Sequence, residues 1–229
     1  MDMTVIAASN VLWLVIYLLI IRAGIRDRSY GMPVVALCVN LAWEANYTFV
    51  RPYEGGLWLT NAAWLLLDCG ILYTVVRYGP AEFRPLPARL FLPSLAALMV
   101  MCWFGTEALI RHFEAGSTVE NGATYSALAL NLAMSGLFLA MLAQRRSAAG
   151  QSRVIALGKL LAGLGVAAGV RLWVRDGTVN GSALLDFLVV SVVLLDAAYL
   201  AALHAVARAR APEAGPAGAR RPAPRTEAP

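Results

Sequence analysis

The stretch MPVVALCVNLAWEANYTFV, residues 32–50, decides the fold class because it is apolar over a membrane-spanning length and yet contains Glu44. About 20 apolar residues in a helix cross roughly 30 Å of hydrocarbon. A carboxylate there costs about 2.5–3.5 kcal/mol on insertion scales, and such groups usually face a bundle interior and mark function. The simpler interpretation is a carboxyl that is neutral or paired inside the bundle.

Asp68 and Asp196 repeat this pattern near the middle of two other apolar stretches. Three such carboxyls would together cost roughly 8–10 kcal/mol, which is comparable to the stability of a whole domain. A cost of that size favours a functional role for the three groups.

The composition extends the membrane interpretation to the whole chain of 229 residues, of which 59% are hydrophobic and only 14% charged. Those values exclude an ordinary soluble domain. Apolar runs of spanning length occur at about 4–21, 32–50, 57–76, 90–110, 123–143, 154–173 and 184–206. The sequence therefore predicts an all-α membrane protein, a bundle of seven transmembrane helices in one domain over residues 1–207. Residues 208–229, rich in Pro, Ala and Arg, are predicted to form a disordered cytoplasmic tail.

The basic residues between these runs predict the orientation in the membrane. Fifteen fall on one side, namely Arg22, Arg26, Arg28, Arg77, Arg84, Arg89, Arg145, Arg146, Arg153, Lys159, Arg208, Arg210, Arg220, Arg221 and Arg225. Four fall on the other, namely Arg51, Arg111, Arg171 and Arg175. The positive-inside rule places the amino terminus outside and the carboxyl terminus in the cytoplasm. Topology thus accounts for the net charge of +5, and no nucleic-acid partner is expected.

The second span carries a polar and aromatic face around its carboxyl. Asn40 and Glu44 are four residues apart and share one helix face, which Tyr47 continues. Trp43 lies beside Glu44, about 100° around the helix.

Two further spans carry similar pairs. Trp64 and Asp68 are four residues apart in the third span, and Asp196 and Tyr199 are three apart in the seventh. Because polar groups in spans face the interior, the three carboxyl faces are expected to converge on one cavity. Trp103 also lies deep in its span, whereas Trp58 and Trp173 lie near span ends, where interface belts place tryptophans. Deep aromatics often serve packing, but beside buried carboxyls they can stabilise a carbocation.

Several functional classes fit this pattern. One is an enzyme that uses a carboxylic acid on a lipophilic substrate, and a second is a small proton-coupled carrier. Carriers commonly show internal repeats and helix breaks at the midplane, whereas no repeat is visible here and the prolines fall at span ends and in the tail. A retinal photoreceptor needs a Schiff-base lysine in its last span, but the only lysine is Lys159, which the sequence places at the cytoplasmic end of the sixth. A non-catalytic scaffold would leave the carboxyls unexplained.

No cofactor and no metal are expected. Cys38, Cys69 and Cys102 stand singly in three different spans, and His112 and His204 lie near opposite membrane surfaces. The expected partners are a lipophilic small molecule and membrane lipids, and the sequence gives no oligomeric state.

The combination of Asn40-x-x-Trp43-Glu44, Trp64-x-x-x-Asp68 and Asp196-x-x-Tyr199 resembles the small seven-helix membrane terpene cyclases of meroterpenoid and indole-diterpene biosynthesis. The resemblance covers the chain to about residue 206. This family includes bacterial relatives from indole-sesquiterpenoid pathways such as the drimentines. Arginine supplies eighteen of the nineteen basic residues, which suggests a GC-rich bacterial genome and hence a bacterial cytoplasmic membrane.

The resemblance implies an isomerase- or lyase-type cyclase that starts by protonation and does not ionise a diphosphate. Its implied acids are Glu44 and Asp196, since Asp186 falls too close to the surface to be the last-span counterpart. The implied substrate is an isoprenoid chain, such as farnesyl, on a prenylated acceptor such as an indole. Asn40, Trp43, Tyr47, Trp64, Asp68, Trp103 and Tyr199 would form the substrate site.

The predicted topology can be tested with reporter fusions after Arg28, Arg89 and Arg153. All three fusions should report a cytoplasmic location, because the basic residues around them give that side its positive charge. A signal from the opposite side at any one of these positions would contradict the topology.

Overall fold

The computed structural model describes residues 2–83 and 87–209, with side chains from Ile6 onward. Within these ranges the chain forms seven α-helices and no strand. They are α1 (Asp2–Asp27), α2 (Val34–Ala45), α3 (Gly55–Glu82), α4 (Ala88–Glu114), α5 (Val119–Arg145), α6 (Arg153–Arg175) and α7 (Ala183–Ala209). A π-helical turn, Asn46–Val50, continues α2.

The helices confirm the predicted all-α membrane fold. Six of them are long and apolar enough to cross a bilayer, while α2 with its π-helical turn forms the shorter apolar segment Val34–Val50. At 1.5 Å per residue, that segment reaches about 25 Å. Beyond Ala209 the predicted disordered tail lies outside the described residues. The direction of the termini stays a prediction.

The helices pack into a closed ring in the order α1, α3, α2, α4, α5, α7, α6 and back to α1. A further contact between α2 and α5 crosses this ring. The order differs from the chain order, so residues far apart in sequence meet inside. The outward faces carry large apolar side chains such as Leu66, Met101 and Phe104, which are at least two-thirds exposed. Apolar side chains of this kind suit contact with lipid tails.

An ionic cluster fixes the end of α2. The Arg51 guanidinium donates to Glu107 of α4 at 2.8 and 2.9 Å, and its Nε lies 3.0 Å from Glu114. Arg51 also donates to the Asn46 side chain, which in turn donates to Glu107 at 2.8 Å. These contacts raise the pKa of Arg51, the Glu107 hydrogen bond being the largest cause. The π-helical turn after Glu44 is thereby tied to α4.

Candidate active site

A cavity of about 360 Å³ lies between α1, α2, α3, α5 and α6, toward the end of the bundle at which α1 begins. Its aromatic lining consists of Trp13, Tyr17, Trp43, Tyr53, Trp64 and Trp173. The volume falls in the range of small-molecule pockets, about 300–1,000 Å³. Along α5 the lining runs from Glu120 to Met134, or roughly 21 Å at the helical rise. The cavity is therefore long and narrow.

Glu44 lines this cavity and is only 2% exposed. Its Oε1 accepts hydrogen bonds from Asn40 Nδ2 at 3.2 Å and from the Tyr17 hydroxyl at 3.3 Å. Its Oε2 is buried and has no hydrogen-bond partner within the described residues. Because Oε1 already accepts from two donors, a proton on this carboxyl would be carried by Oε2.

Asn40 connects Glu44 to a second carboxyl. Its Nδ2 donates to Asp68 Oδ2 at 2.9 Å and also contacts the Tyr17 hydroxyl. Asp68 is fully buried and lies behind Asn40, outside the cavity lining. Two carboxyls on one amide repel each other when both are ionised, so the pair is more stable with one proton between them. The contact that the four-residue spacing of Asn40 and Glu44 predicts is present.

The predicted aromatic residues divide between the cavity wall and the layer behind it. Trp43 and Trp64 line the cavity, with their indole N–H groups held by Ser126 Oγ at 2.9 Å and by the Asn10 carbonyl at 3.3 Å. Tyr47 is completely buried behind Trp43, with ring centroids 4.6 Å apart. Trp103 is half-buried on α4 and lies away from the cavity.

Asp196 does not join Glu44, which corrects the expectation that all three carboxyls converge. Its Oδ1 lies 2.5 Å from Lys159 Nζ, and both side chains are 1% exposed. Lys159 also donates to Ser135 Oγ at 2.6 Å. The reason lies in the ring order, because α7 packs against α5 and α6 rather than α2. Lys159, six residues after the start of α6, is therefore buried inside the bundle as the partner of Asp196 rather than exposed at a membrane surface.

Trp13 separates the Lys159–Asp196 pair from the cavity. The Lys159 ammonium lies 5.9 Å from the centroid of the Trp13 ring, which lines the cavity. Tyr199 lies further away, fully buried against Phe138 and hydrogen-bonded to Gln151. Asp196 and Tyr199, the pair predicted for the seventh span, therefore lie behind the cavity wall.

Sequence reasoning missed several residues of the cavity. Trp13, Tyr17, Asn61, Asn131 and Trp173 all line it. The Tyr17 phenol in the first apolar run was a usable signal, because buried phenols need a hydrogen-bond partner. Trp173, predicted to belong to an interface belt, instead lines the cavity near the end of α6.

The fold and cavity define a class of protein: a helical membrane protein with an elongated aromatic cavity around a buried carboxyl. The chain belongs to the Pyr4-like transmembrane terpene cyclases, whose family model matches residues 1–209. This match confirms the family resemblance drawn from the short motifs around Glu44, Asp68 and Asp196.

Several fungal relatives are similar to this chain. The Pyr4-family terpene cyclase mfmH of Annulohypoxylon moriforme is 34% identical over 117 residues, or 48% of each chain. The terpene cyclase ascF of Acremonium egyptiacum is 30% identical over 66% of this chain and 60% of its own. The terpene cyclase dpmaB of Metarhizium anisopliae is 29% identical over 86% of this chain and 82% of its own. The matches to the first two span about half to three-fifths of their lengths. No solved structure is significantly similar.

The Lys159–Asp196 pair predicts a compensating pair of substitutions. Lys159→Met and Asp196→Leu should each destabilise the detergent-solubilised protein by about 3–5 kcal/mol, since each leaves one buried charge unpaired. The double variant should regain most of that loss. Thermal unfolding of the three variants measures the effect.

Asp186→Asn provides the matched control, because the exposed Arg171–Asp186 pair at 2.7 Å should contribute only about 0–1 kcal/mol. A double variant no more stable than the worse single variant would contradict the buried pair.

Proposed function

We propose that this chain is an integral membrane terpene cyclase that protonates the end of an isoprenoid chain and directs its ring closure. The reacting group is a terminal alkene or epoxide, and no diphosphate is ionised. The family match supports cyclase chemistry, and the aromatic cavity supports a lipophilic substrate. The observation that carries the proposal is the buried Glu44 carboxyl, with one oxygen anchored and the other unpartnered among the described residues.

Glu44 acts as the general acid. Its proton passes from Oε2 to the terminal carbon of the alkene, or to the epoxide oxygen, and a carbocation develops on the substituted carbon. The next double bond attacks that centre and forms the ring bond, and loss of one proton from carbon then restores a double bond. One proton enters and one leaves, so the product is an isomer of the substrate.

Asn40 and Asp68 support the acid. Asn40 fixes Oε1 of Glu44 through its amide, and Asp68 holds the same amide from the other side. After proton transfer the Glu44 carboxylate gains from the Asn40 and Tyr17 donors, because hydrogen bonds to an ionised group are stronger than those to a neutral one. These two donors offset part of the repulsion that Asp68 exerts on the new carboxylate.

Asp196 is proposed as the second carboxyl that cyclisation requires, with a role different from that of Glu44. Its Oδ1 is held 2.5 Å from Lys159 Nζ, while its Oδ2 has no hydrogen-bond partner within the described residues, which leaves one oxygen to take the final proton. A gap of about 10 Å³, lined by Trp13, Asn131 and Gly163, lies between the cavity wall and this centre. A Cβ at Gly163 would lie 3.4 Å from Asp196 Oδ2, so this glycine separates the gap from the carboxylate by only its own backbone.

The cavity walls protect the cation. Trp13, Trp43 and Trp64 present aromatic surface along the channel, and a cation over such a ring gains roughly 2 kcal/mol when desolvated. The apolar lining also excludes water, which would otherwise quench the cation early. Tyr47 supports the Trp43 wall from behind, whereas Trp103 lies away from the cavity and has no part in this proposal.

The proposed substrate is a farnesyl chain on an acceptor such as an indole. The long, narrow cavity suits a linear chain whose far end reaches Glu44. The proposed bacterial origin, and with it a bacterial cytoplasmic membrane, rests on the arginine bias alone. The proposed outside position of the amino terminus rests on the uneven distribution of basic residues alone. The relatives named above come from fungi.

Glu44→Gln should reduce turnover by about 10²–10⁴-fold, the usual contribution of a general acid. The amide keeps the side-chain shape but has no acidic proton to give. The assay incubates purified protein in detergent with a farnesylated indole and follows isomerisation at constant mass.

Glu54→Gln is the matched control, because Glu54 is exposed before α3 and does not line the cavity. Turnover by Glu44→Gln at the rate of this control would show that Glu44 is not the acid. Uptake of unchanged ligand by vesicles in response to a proton gradient, without isomerisation, would support the rival carrier function.

A further inference from the structure

The backbone carbonyl of Glu44 is held by two side chains at the start of the π-helical turn. Thr48 Oγ1 donates to this carbonyl at 2.7 Å, and Asn61 Nδ2 of α3 donates to it at 2.8 Å. Asn61 Nδ2 also donates to Thr48 Oγ1 at 2.8 Å. The three groups form a closed triangle directly behind the acid.

This triangle fixes the orientation of the Asn61 amide. Because the Thr48 hydroxyl gives its hydrogen to the Glu44 carbonyl, its oxygen can only accept from Asn61. Both neighbours of the amide are therefore acceptors, and the amide must present its nitrogen to them. Asn61 is 1% exposed and lines the cavity, and its Oδ1 has no hydrogen-bond partner within the described residues. A buried amide whose donors are directed at the Glu44 carbonyl and at the hydroxyl that holds the same carbonyl is suited to positioning.

The turn also contacts α4 and a second residue of α3. Arg51 and Asn46 tie it to Glu107, and Trp58 Nε1 donates to the Thr48 carbonyl at 3.2 Å. π-helical turns are rare and often occur at functional sites. Here the turn changes the helix register directly after Glu44, so its contacts with α3 and α4 determine where that carboxyl points.

We propose that Asn61 is a positioning residue for the Glu44 acid, acting through the Glu44 carbonyl and Thr48. This inference rests on the proposed function and adds the means by which α3 sets the direction of the acid. Loss of the Asn61 donors lets the π-helical turn relax toward a regular helix and moves the Glu44 carboxyl relative to the substrate. A displacement of about 1 Å at a reacting group can lower the rate by about 10²-fold.

The activity test compares five variants in the farnesylated-indole assay. Asn61→Leu and Thr48→Val should each lower kcat by about 10- to 100-fold with little change in KM, and their double variant should lose less than the product of the two. Asn61→Asp keeps an acceptor oxygen but lacks the donors, so it should behave like Asn61→Leu. Thr74→Val is the matched control, because Thr74 is an equally buried threonine on α3 whose hydroxyl donates to the Ile71 carbonyl.

A second measurement does not need turnover. Hydrogen–deuterium exchange in residues 45–50 should be faster in Asn61→Leu and Thr48→Val than in the wild type, and unchanged in Thr74→Val. Unchanged exchange in this segment, or variant kcat values equal to that of the control, would overturn the positioning role. Activity of Asn61→Asp close to wild type would also overturn it, since the acceptor oxygen alone would then suffice. A wild-type protein without cyclase activity would refute the proposed function, while the exchange experiment would still decide what Asn61 holds.

Discussion

The burial of Glu44 in an apolar bundle is the constraint on which the rest of the site depends. A carboxyl at this depth needs hydrogen-bond donors from the protein because water is excluded. Asn40 supplies one from the same helix and Tyr17 another from α1, while Asp68 on α3 fixes Asn40 in turn. Three helices must therefore meet at one point, and the ring order in which α2 lies beside α3 and α3 beside α1 allows this.

The protein separates two ionic centres within one bundle. Around Glu44, two carboxyls share one amide, which favours a retained proton. Around Asp196, one carboxyl oxygen contacts Lys159 Nζ at 2.5 Å and the other has no hydrogen-bond partner within the described residues. Trp13 stands between the cavity and the second centre. The two environments would allow one carboxyl to give a proton and the other to accept one, since environment sets the role of each group.

Features that are set within a single helix could be predicted from the sequence. The seven apolar runs correspond to the seven helices, and the four-residue spacing of Asn40 and Glu44 gives the observed contact. The order of helices around the ring depends on the packing of side chains between segments, and no local pattern encodes it. For this reason the sequence predicts Asp196 beside Glu44 and Lys159 at a membrane surface, whereas the structure pairs these two residues with each other inside the bundle. The π-helical turn was also not predictable, because it depends on Asn61 and Arg51, which contact it from outside the helix that it ends.

The most direct test of the account is the incorporation of deuterium by detergent-solubilised protein in deuterated water. Detergent removes any proton gradient, so only chemistry at the buried acid can alter the substrate. If the substrate is an alkene, the cyclised product should carry one deuterium at the carbon that is protonated first. If it is an epoxide, the deuterium should go to the new hydroxyl group, from which it exchanges with solvent. For an alkene substrate, cyclised product without carbon-bound deuterium at that position would contradict protonation by Glu44. Unchanged substrate across a broad panel of prenylated acceptors, alkene and epoxide alike, would contradict the cyclase function itself.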